Sequence, residues 1–334
     1  MTASAHKVLI IASSIKPEGL RLLEPLAQIA TLGDYATAAE TAAAARDVDA
    51  ILARTGKITR EVIAAAPRLR IVARHGVGYD NVDVAACTER GIAVTITGDA
   101  NSEAVSEHAM ALILASARQL TKADRALRAG MWDREAIHGI ELAGKTLGLV
   151  GIGRTGSRVA RHAAGFSMRV IAHDPYAPHA TAQDLGVELV DLPTLLAQAD
   201  YVSVHAPLTP ETRHLIGAAQ LRQMKPTAIL VNTSRGGLVD EAALSEALSS
   251  GRIAAAALDV FETEPLPAGH PLTRLDNVIL SPHVAGTTEE ALVRMAVGAA
   301  EAVRCALRGE RPPFVVNPDA LVHATWLRQK TSDR

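Results

Sequence analysis

Short apolar runs alternate with helical patterns along the first part of the chain. Each run is rich in Val, Ile, Leu and Ala and is short enough to form one buried strand. The runs are Val8–Ala12, Ala50–Ala53, Ile71–Ala73 and Ile92–Thr95. The helical stretches between them are Pro17–Leu26, Arg60–Ala66 and Asp83–Arg90. This βαβα order predicts a mostly parallel sheet with helices on both faces.

The pattern changes at Ser102, where a long Ala- and Leu-rich stretch without Pro or Gly continues to Gly130. It predicts one long helix that leads out of the first domain. A second series of apolar runs follows at Thr146–Val150, Arg169–Ala172, Val187–Val190, Tyr201–Val204, Ala228–Asn232, Ile253–Leu258 and Val278–Leu280, with a last helical stretch at Glu289–Leu307. We therefore predict the α/β fold class: two Rossmann-like or flavodoxin-like domains, each a doubly wound parallel sheet, with a cleft between them.

Length and composition support two globular domains. The chain has 334 residues, of which 48% are hydrophobic and 21% charged, and a net charge of −2. This balance gives no basic surface for nucleic acid or an anionic membrane, so we expect neither as a partner. Cys87 and Cys305 are too few for a disulfide framework, and we expect a reducing, cytoplasmic setting. The histidines show no metal-ligand spacing, so we expect no metal.

A glycine motif follows the first strand of the second series. It reads Gly151-Ile-Gly153-Arg154-Thr155-Gly156 and opens a helical stretch. Gly151 permits a tight turn, Gly153 lets the backbone approach a pyrophosphate, and Gly156 permits close packing of helix on strand. The helix N-terminus offers free N–H groups to the phosphates. The motif predicts a dinucleotide site in the middle of the chain.

An acidic residue, Asp174, ends the next predicted strand, roughly 20 residues beyond the glycines. A carboxylate there accepts the ribose hydroxyls of NAD and repels a 2′-phosphate. Pro175 and Tyr176 follow, so no Arg stands there to receive that phosphate. The alternative is an ordinary turn Asp before Pro. With the glycines upstream, the pattern favours NAD over NADP.

Polar residues also follow three later strands, where the loops of a parallel sheet form binding sites. Arg235 stands in the turn Asn232-Thr-Ser-Arg-Gly-Gly and can present its planar guanidinium to a carboxylate, or can simply be a solvated loop arginine. The other two segments carry Asp259 with Glu264, and His283. In the first domain, the turn Gly76-Val77-Gly78 is either a plain strand-to-helix turn or a place where backbone N–H groups approach a carboxylate.

In order and spacing, these segments resemble the D-isomer-specific 2-hydroxyacid dehydrogenase family over nearly the whole chain. The motifs are the central Gly-x-Gly-x-x-Gly, Arg74-His-Gly-Val-Gly-Tyr-Asp-Asn-Val-Asp83, His205-Ala-Pro-Leu-Thr-x-x-Thr212, Asn232-Thr-Ser-Arg-Gly-Gly237, Asp259-Val-Phe-x-x-Glu-Pro265 and Ser281-Pro-His-x-x-Gly286. Each motif alone is weak evidence. Their joint order is highly specific.

The resemblance implies roles for the chemical residues. His283 matches the family's general acid/base, and Glu264 matches the carboxylate on its other ring nitrogen. Arg235 matches the residue that binds the substrate carboxylate and polarises its carbonyl. Asp259 matches the residue that holds the nicotinamide end. Further positions that the resemblance assigns to the cofactor are Arg154, Thr155, Pro175, His205, Ala206, Pro207, Thr212, Thr233, Ser234 and Gly286.

The resemblance leaves the substrate open. The positions that it assigns to the substrate, besides Arg235, are Arg54, Arg74, His75, Gly76, Val77 and Gly78. Arg54 and Arg74 look like the arginines that meet the phosphate in the 3-phosphoglycerate dehydrogenase branch, which favours a second anionic group. Their other interpretation is surface charge, and glyoxylate or hydroxypyruvate reduction is the nearest competing activity. Formate and phosphite dehydrogenases are disfavoured, because they carry Gln where Glu264 stands and Lys where Val77 stands, respectively.

The resemblance also implies the domain plan and the partners. Residues 1–101 plus 288–334 are expected to bind substrate, and residues 102–287 to bind NAD and carry a dimerisation arm. We expect a homodimer, with Trp132 as an interface or packing residue, and no C-terminal regulatory domain of the kind that longer phosphoglycerate dehydrogenases carry. Relatives that act as NAD-sensing corepressor scaffolds keep the catalytic residues, so that role stays open.

Overall fold

The computed structural model describes residues 6–34, 36–132 and 134–327. The chain divides into two units. The first unit consists of Met1–Asn101 and Thr287–Arg334, and the second consists of Ser102–Gly286. The chain therefore leaves the first unit once and later returns to it.

The first unit is built on a five-stranded sheet. Its strands are β1 (His6–Ile11), β2 (Ala27–Leu32), β3 (Ala50–Ala53), β4 (Ile71–Arg74) and β5 (Ala93–Thr95). The helices before the chain leaves the unit are α1 (Pro17–Leu23), α2 (Ala38–Ala44), α3 (Arg60–Ala65) and α4 (Val84–Glu89). All neighbouring strands are parallel, in the flavodoxin-like order β2-β1-β3-β4-β5.

The second unit is built on a seven-stranded parallel sheet. Its strands are β6 (Thr146–Val150), β7 (Arg169–His173), β8 (Glu188–Leu189), β9 (Tyr201–Val204), β10 (Ile229–Asn232), β11 (Ala255–Leu258) and β12 (Val278–Leu280). Its helices are α5 (Ser102–Ala117), α6 (Leu120–Arg128), α7 (Arg154–Gly165), α8 (His179–Asp184), α9 (Leu192–Gln198), α10 (Ala218–Leu221) and α11 (Glu241–Ser249). The strand order β12-β11-β10-β9-β6-β7-β8 is that of a Rossmann fold, and it reverses between β6 and β9. Ligands bind outside the carboxyl ends of the strands at such a point.

Side chains of the central strand β6 alternate between the two faces of this sheet. Leu147 and Leu149 belong to a core shared with α5 and α7, whereas Val150 belongs to the opposite core with α9 and α11. All five residues of β6 are buried. Burial on both faces explains why the parallel strands read as unbroken apolar runs.

After the second unit, the chain returns to the first through α12 (Glu289–Arg308). This helix places Val303 and Ala306 in one core with Val8 and Ile10 of β1. The alternate residues of β1, such as Leu9, face the other core, which α2, α3 and α4 cover. One face of the first sheet therefore depends on residues from the far end of the sequence.

The predicted α/β class with two parallel, helix-covered sheets is confirmed. The structure differs from the sequence-based elements at β2, at α2, which no sequence pattern predicted, and at the helix after Ser102. Strand β2 was not predicted, because it lies at the sheet edge and buries only Ala27. The single long helix predicted after Ser102 is wrong, since it divides into α5 and α6 at Gln119, which adopts the left-handed φ of 51°. At this break, the Ile140 amide donates to the Ala117 carbonyl at 2.7 Å and the Gln119 amide group donates to the His138 carbonyl at 2.8 Å.

Candidate active site

The glycine loop lies at the carboxyl end of β6, at the point where the strand order reverses. Gly151 has a φ of +98°, and a Cβ there would lie 2.9 Å from the His205 carbonyl oxygen. A Cβ on Gly156 would lie 2.2 Å from the Gly151 oxygen. Neither position has room for a side chain. Nothing lies within 4 Å of a Cβ built on Gly153, so a bound group can approach the backbone there. This open cradle at the start of α7 fits a pyrophosphate.

Asp174 stands just after β7 and is tied to the same loop. Its Oδ2 accepts a hydrogen bond from the Ile152 amide at 3.0 Å, and its Oδ1 accepts one from the Tyr176 amide at 3.0 Å. Asp174 and the exposed Pro175 line a cavity of about 340 Å³ together with His173, Ala177, His179, Leu189, Val190 and Asp191. Each carboxylate oxygen keeps a second lone pair for a ribose hydroxyl.

The loops after β9 and β10 lie at the same carboxyl edge of the seven-stranded sheet as the glycine loop. The Ser234 hydroxyl donates to the Ala206 carbonyl at 2.9 Å and so joins the two loops. His205 pairs through Nε2 with the Ser203 hydroxyl at 2.9 Å, and burial lowers the pKa of His205 to about 4, so the ring is neutral at pH 7. The Thr233 hydroxyl oxygen is buried and has no hydrogen-bond partner within the described residues. Such an orphaned group is what a bound polar ligand would satisfy.

A second turn closes the loop between Pro207 and Thr212. The Thr212 hydroxyl donates to the Pro207 carbonyl at 2.7 Å, and the Thr209 amide donates back to the Thr212 hydroxyl at 2.7 Å. Within the glycine loop, Arg154 and Thr155 form the first turn of α7. All the residues that the sequence assigns to the cofactor therefore lie in loops at the carboxyl ends of β6, β7, β9, β10, β11 and β12, or at the start of α7.

Arg235 is half-buried at the carboxyl end of β10, with its Nη1 donating to the Ser234 carbonyl at 2.7 Å. Gly236, the next residue, allows the loop after β11 to come close to this loop. A Cβ on Gly236 would lie 1.9 Å from the Phe261 carbonyl carbon, so the loops after β10 and β11 touch through their backbones. Asn232, the first residue of the Asn232–Gly237 motif, shapes this turn by donating to the Arg235 carbonyl at 2.9 Å and accepting from the Ser234 amide at 3.0 Å.

The loop after β11 and the turn after β12 bring an acid and an imidazole together. His283 Nδ1 lies 2.7 Å from Glu264 Oε2, and Glu264 Oε1 accepts a hydrogen bond from the Phe261 amide at 3.0 Å. Burial acts to raise the pKa of Glu264, but the bonds from His283 and Phe261 and the Arg235 charge hold that pKa below its usual value. Glu264 is therefore a carboxylate at neutral pH. Because it accepts from Nδ1, the other ring nitrogen of His283 is left for proton exchange.

Asp259 is fully buried beneath the His283 turn. Its Oδ1 accepts from the Ser281 hydroxyl at 2.6 Å and the Val284 amide at 2.9 Å, and its Oδ2 accepts from the Ala285 amide at 2.8 Å. The resemblance assigns Asp259 to the nicotinamide end of the cofactor. In this structure its carboxylate is directed at the turn that ends with Gly286.

The residues that the sequence assigns to the substrate in the first unit follow β3 and β4. Arg74 is 7% exposed, and its guanidinium donates to the Gly78, Ala53 and Arg54 carbonyls at 2.9, 2.7 and 3.1 Å. It thereby ties the end of β3 to the Gly76–Gly78 turn. Gly76 has a φ of +146°, and its carbonyl accepts from the Thr97 amide and hydroxyl at 3.0 and 3.1 Å.

His75 is 4% exposed, and neither of its ring nitrogens has a hydrogen-bond partner within the described residues. Burial, followed by the nearby charges of Arg54 and Arg74, lowers the pKa of His75 to about 4. The ring is therefore neutral at pH 7. Arg54 itself is half-buried, whereas Val77 and Gly78 are partly accessible on the turn.

Comparison with known proteins places this geometry in a family. Residues 110–285 match the sequence model of the D-isomer specific 2-hydroxyacid dehydrogenase NAD-binding domain. The glyoxylate reductase of Aeropyrum pernix is 45% identical over 321 residues, covering 93% of this chain and 96% of that protein. The chain belongs to the D-isomer-specific 2-hydroxyacid dehydrogenase family. The motif-based resemblance is thereby confirmed, and the unit that carries Gly151–Gly156 contains an NAD-binding domain of this family.

Other members of the family extend the comparison. The D-3-phosphoglycerate dehydrogenase of Methanocaldococcus jannaschii is 45% identical over 311 residues, covering 92% of this chain but 59% of that enzyme. The chain thus spans about three fifths of the length of such relatives. The crystal structure of the TT0316 protein from Thermus thermophilus superimposes with a TM-score of 0.86 at 37% identity, covering 92% of this chain and 99% of that one. Among residues 6–34, 36–132 and 134–327, no helix is long and apolar enough to cross a membrane, and no three His, Cys, Asp or Glu side chains group as metal ligands.

Proposed function

We propose that this member of the family is an NAD-dependent dehydrogenase that interconverts a D-2-hydroxy acid and its 2-keto acid. The single observation that carries the proposal is the His283–Glu264 pair, with 2.7 Å between Nδ1 and Oε2, in the unit that carries the dinucleotide loop. A bound nicotinamide supplies the carbon that exchanges hydride with the substrate. The test is oxidation of NADH at 340 nm in the presence of small 2-keto acids.

His283 is assigned the proton transfer. With its Nδ1–H donated to Glu264, neutral His283 accepts the proton of the 2-hydroxyl at Nε2 during oxidation. The Glu264 carboxylate then stabilises the imidazolium, which returns the proton during reduction. Arg235 is assigned to the substrate carboxylate, which its planar guanidinium can bind through two hydrogen bonds. Holding the reacting groups in place in this way contributes several kcal/mol to lowering the barrier.

Asp174 supports a preference for NAD over NADP. Its carboxylate is held in place by the Ile152 and Tyr176 amides, and the residues after it are Pro175 and the 93%-exposed Tyr176. A 2′-phosphate would meet a fixed negative charge there. Measuring kcat/KM with NADH and NADPH under the same conditions tests this preference.

The substrate is proposed to carry a second anionic group, as 3-phosphoglycerate does. Arg54 and the unpartnered ring of His75 at the end of the first sheet support this proposal. Arg74 supports it less than the sequence suggested, because its guanidinium binds the backbone carbonyls of β3 and the Gly78 turn. This use of Arg74, together with the nearly full-length match to a glyoxylate reductase, favours hydroxypyruvate or glyoxylate as a second candidate.

A panel of keto acids separates these activities. Phosphohydroxypyruvate, hydroxypyruvate, glyoxylate, pyruvate and 2-oxoglutarate are each assayed with NADH. A strong preference for the phosphorylated acid supports Arg54 as an anion site, and activity on the unphosphorylated acids alone supports the second candidate. Binding of NADH without turnover of any acid would favour the corepressor-type scaffold instead.

A homodimer is proposed through the apolar surface of the dimerisation arm, the segment from Ser102 to about Lys145. Helix α6 has no buried residue, and large apolar side chains stay exposed on it and just beyond it. They are Leu120, Leu127, Met131, Trp132 and Ile140. A second copy of the chain would cover this surface, and Leu127→Glu is expected to shift the mass measured by light scattering from dimer to monomer. The two unpaired cysteines support a reducing, cytoplasmic setting.

A further inference from the structure

The backbone of His283 has an unusual conformation that the rest of its turn must maintain. Its φ is +53°, in the left-handed region that a side chain other than glycine rarely adopts. Such a conformation is strained and persists only where the surroundings impose it. Neighbouring groups must therefore hold this turn in place while the imidazole stays 44% exposed and accessible to a substrate.

Asp259 provides the first of these groups. Its backbone carbonyl accepts from the His283 amide at 2.7 Å, while its side chain accepts from the Ser281 hydroxyl and from the Val284 and Ala285 amides. The donors lie on both sides of His283 in sequence. Asp259 thus fixes the turn before and after the histidine through its buried carboxylate, and at the histidine through its backbone carbonyl.

His108 on α5 extends this network from a separate helix. Its Nε2 lies 3.1 Å from the Ser281 Oγ and 3.6 Å from Asp259 Oδ1. Ser281 has only one hydroxyl proton, and the 2.6 Å contact places that proton toward Asp259. The Ser281 oxygen must therefore accept from His108, which requires a proton on Nε2 of His108.

The position of His108 is set by the core. Helix α5 packs against β10 and β11, the strands that lead into the Arg235 and Asp259 loops. The next residues of the helix, Ala109 and Met110, are buried in the core that β6 shares with α5 and α7. His108 is thus held on a rigid element beside the strand that precedes Asp259.

We propose that His108 is a positioning residue for the catalytic turn, acting on His283 through Ser281 and Asp259. This inference rests on the proposed dehydrogenase function of His283. His108 does not touch the reacting groups; it keeps the hydroxyl of Ser281 directed at Asp259, and so keeps the His283 backbone in its left-handed conformation and its imidazole on Glu264. Displacement of a catalytic group by about 1 Å can cost 10²-fold in rate.

The test compares steady-state kinetics of His108→Ala, His108→Gln and Ser281→Ala with wild type. We expect His108→Ala and Ser281→Ala each to lower kcat about tenfold or more, with little change in the Kd of NADH measured by fluorescence. The double variant should be no worse than either single variant, because both break one chain of bonds. Gln carries an amide donor on a side chain of similar reach, so His108→Gln should recover most of the rate. Glu107→Ala, an exposed position on the same helix, is the matched control and should leave kcat unchanged.

The outcomes separate this inference from the proposed function. If wild type is active and kcat is unchanged in both alanine variants, the role of His108 is overturned. It is also overturned if His108→Ala lowers kcat and His108→Gln does not restore it, although the variants melt at the same temperature as wild type. If wild type turns over no keto acid, the proposed function fails, and the inference is decided by ¹⁵N NMR of histidine-labelled protein. The signal that is missing from the spectrum of His108→Gln belongs to His108. In wild type, that signal should show a proton on Nε2, and a proton on Nδ1 alone overturns the network. If His108→Ala does not fold, Ser281→Ala and His108→Gln give the same decision.

Discussion

The buried, neutral ring of His75 predicts a specific acid sensitivity of the first unit. Its pKa of about 4 in the folded chain lies below the ordinary histidine value of 6.5. Between these two values, the unfolded chain binds a proton that the folded chain does not. Stability should therefore rise with pH across this window, be complete above about pH 6.5 and fall as the pH drops toward 4. Replacing His75 by Gln, which is neutral at every pH, should remove this dependence.

The size of the effect follows from the difference between the two pKa values. Each unit of difference corresponds to 1.36 kcal/mol, so the limit at low pH is roughly 3 kcal/mol. At pH 5.0, where the folded ring is still mostly neutral, the linkage relation gives roughly 2 kcal/mol. His205, whose pKa is also lowered to about 4, adds its own dependence but is present in both proteins and cancels from the comparison.

Urea unfolding at pH 7.5 and pH 5.0 measures the effect. Trp326 reports on the first unit, where its indole N–H donates to the Gly91 carbonyl at 2.9 Å. Because the chain has two tryptophans, both proteins carry Trp132→Phe, so that Trp326 is the only one. The free energy of unfolding should fall by roughly 2 kcal/mol more in the parent than in His75→Gln on acidification. Equal losses in the two proteins would refute the assignment of a buried neutral His75.

Four further substitutions test the second unit. Glu264→Gln keeps the shape but removes the carboxylate, so kcat should fall about 10²-fold at pH 7 while the Kd of NADH changes little; an unchanged kcat would exclude a role for the charge. In wild type, the lowered pKa of Glu264 keeps it ionised as the pH falls through the usual carboxylate value of 4.5. The stabilisation from the hydrogen bonds that Glu264 accepts from His283 and Phe261 is therefore present above that value and is lost only below it. Gly153→Ala should weaken NADH binding but leave the melting temperature unchanged, because its Cβ meets open space. Gly156→Ala should lower the melting temperature, because its Cβ would lie 2.2 Å from a carbonyl oxygen. Calorimetry with and without NADH distinguishes the two variants. Asp174→Ala should lower the NADH-to-NADPH ratio of kcat/KM by about tenfold or more, and an unchanged ratio would place cofactor discrimination elsewhere.

Local patterns predicted the sheets well because a strand buried on both faces leaves an unbroken apolar run. β6 and β9 are such strands and were predicted with their observed bounds. β2 lies at an edge and is mostly accessible, so it carries no such run. The break at Gln119 depends on hydrogen bonds with residues about 20 positions later, and a local helix pattern carries no information about those residues.

The candidate site shows the same division between local and distant information. The glycines at 151, 153 and 156 and the acid at 174 can be found from their spacing, since one turn and one strand fix their geometry. The function of Arg74 as a tie for three carbonyls is invisible in sequence, because its acceptors lie on another strand and on a later turn. His108 was missed for a similar reason. Its partner Ser281 is far along the chain, and nothing in the pattern of α5 distinguishes it from any other helical histidine.

The return of α12 to the first unit has a consequence for synthesis on the ribosome. The second unit is continuous in sequence, from Ser102 to Gly286, and all of its core is available once that segment has emerged. The first unit is not, because the face of β1 that carries Val8 and Ile10 is covered by Val303 and Ala306 of α12. We therefore expect the inserted unit to complete its fold while β1, which is synthesised earlier, still has one apolar face uncovered. Helix α12, which is made after the whole inserted unit, would then cover that face of β1.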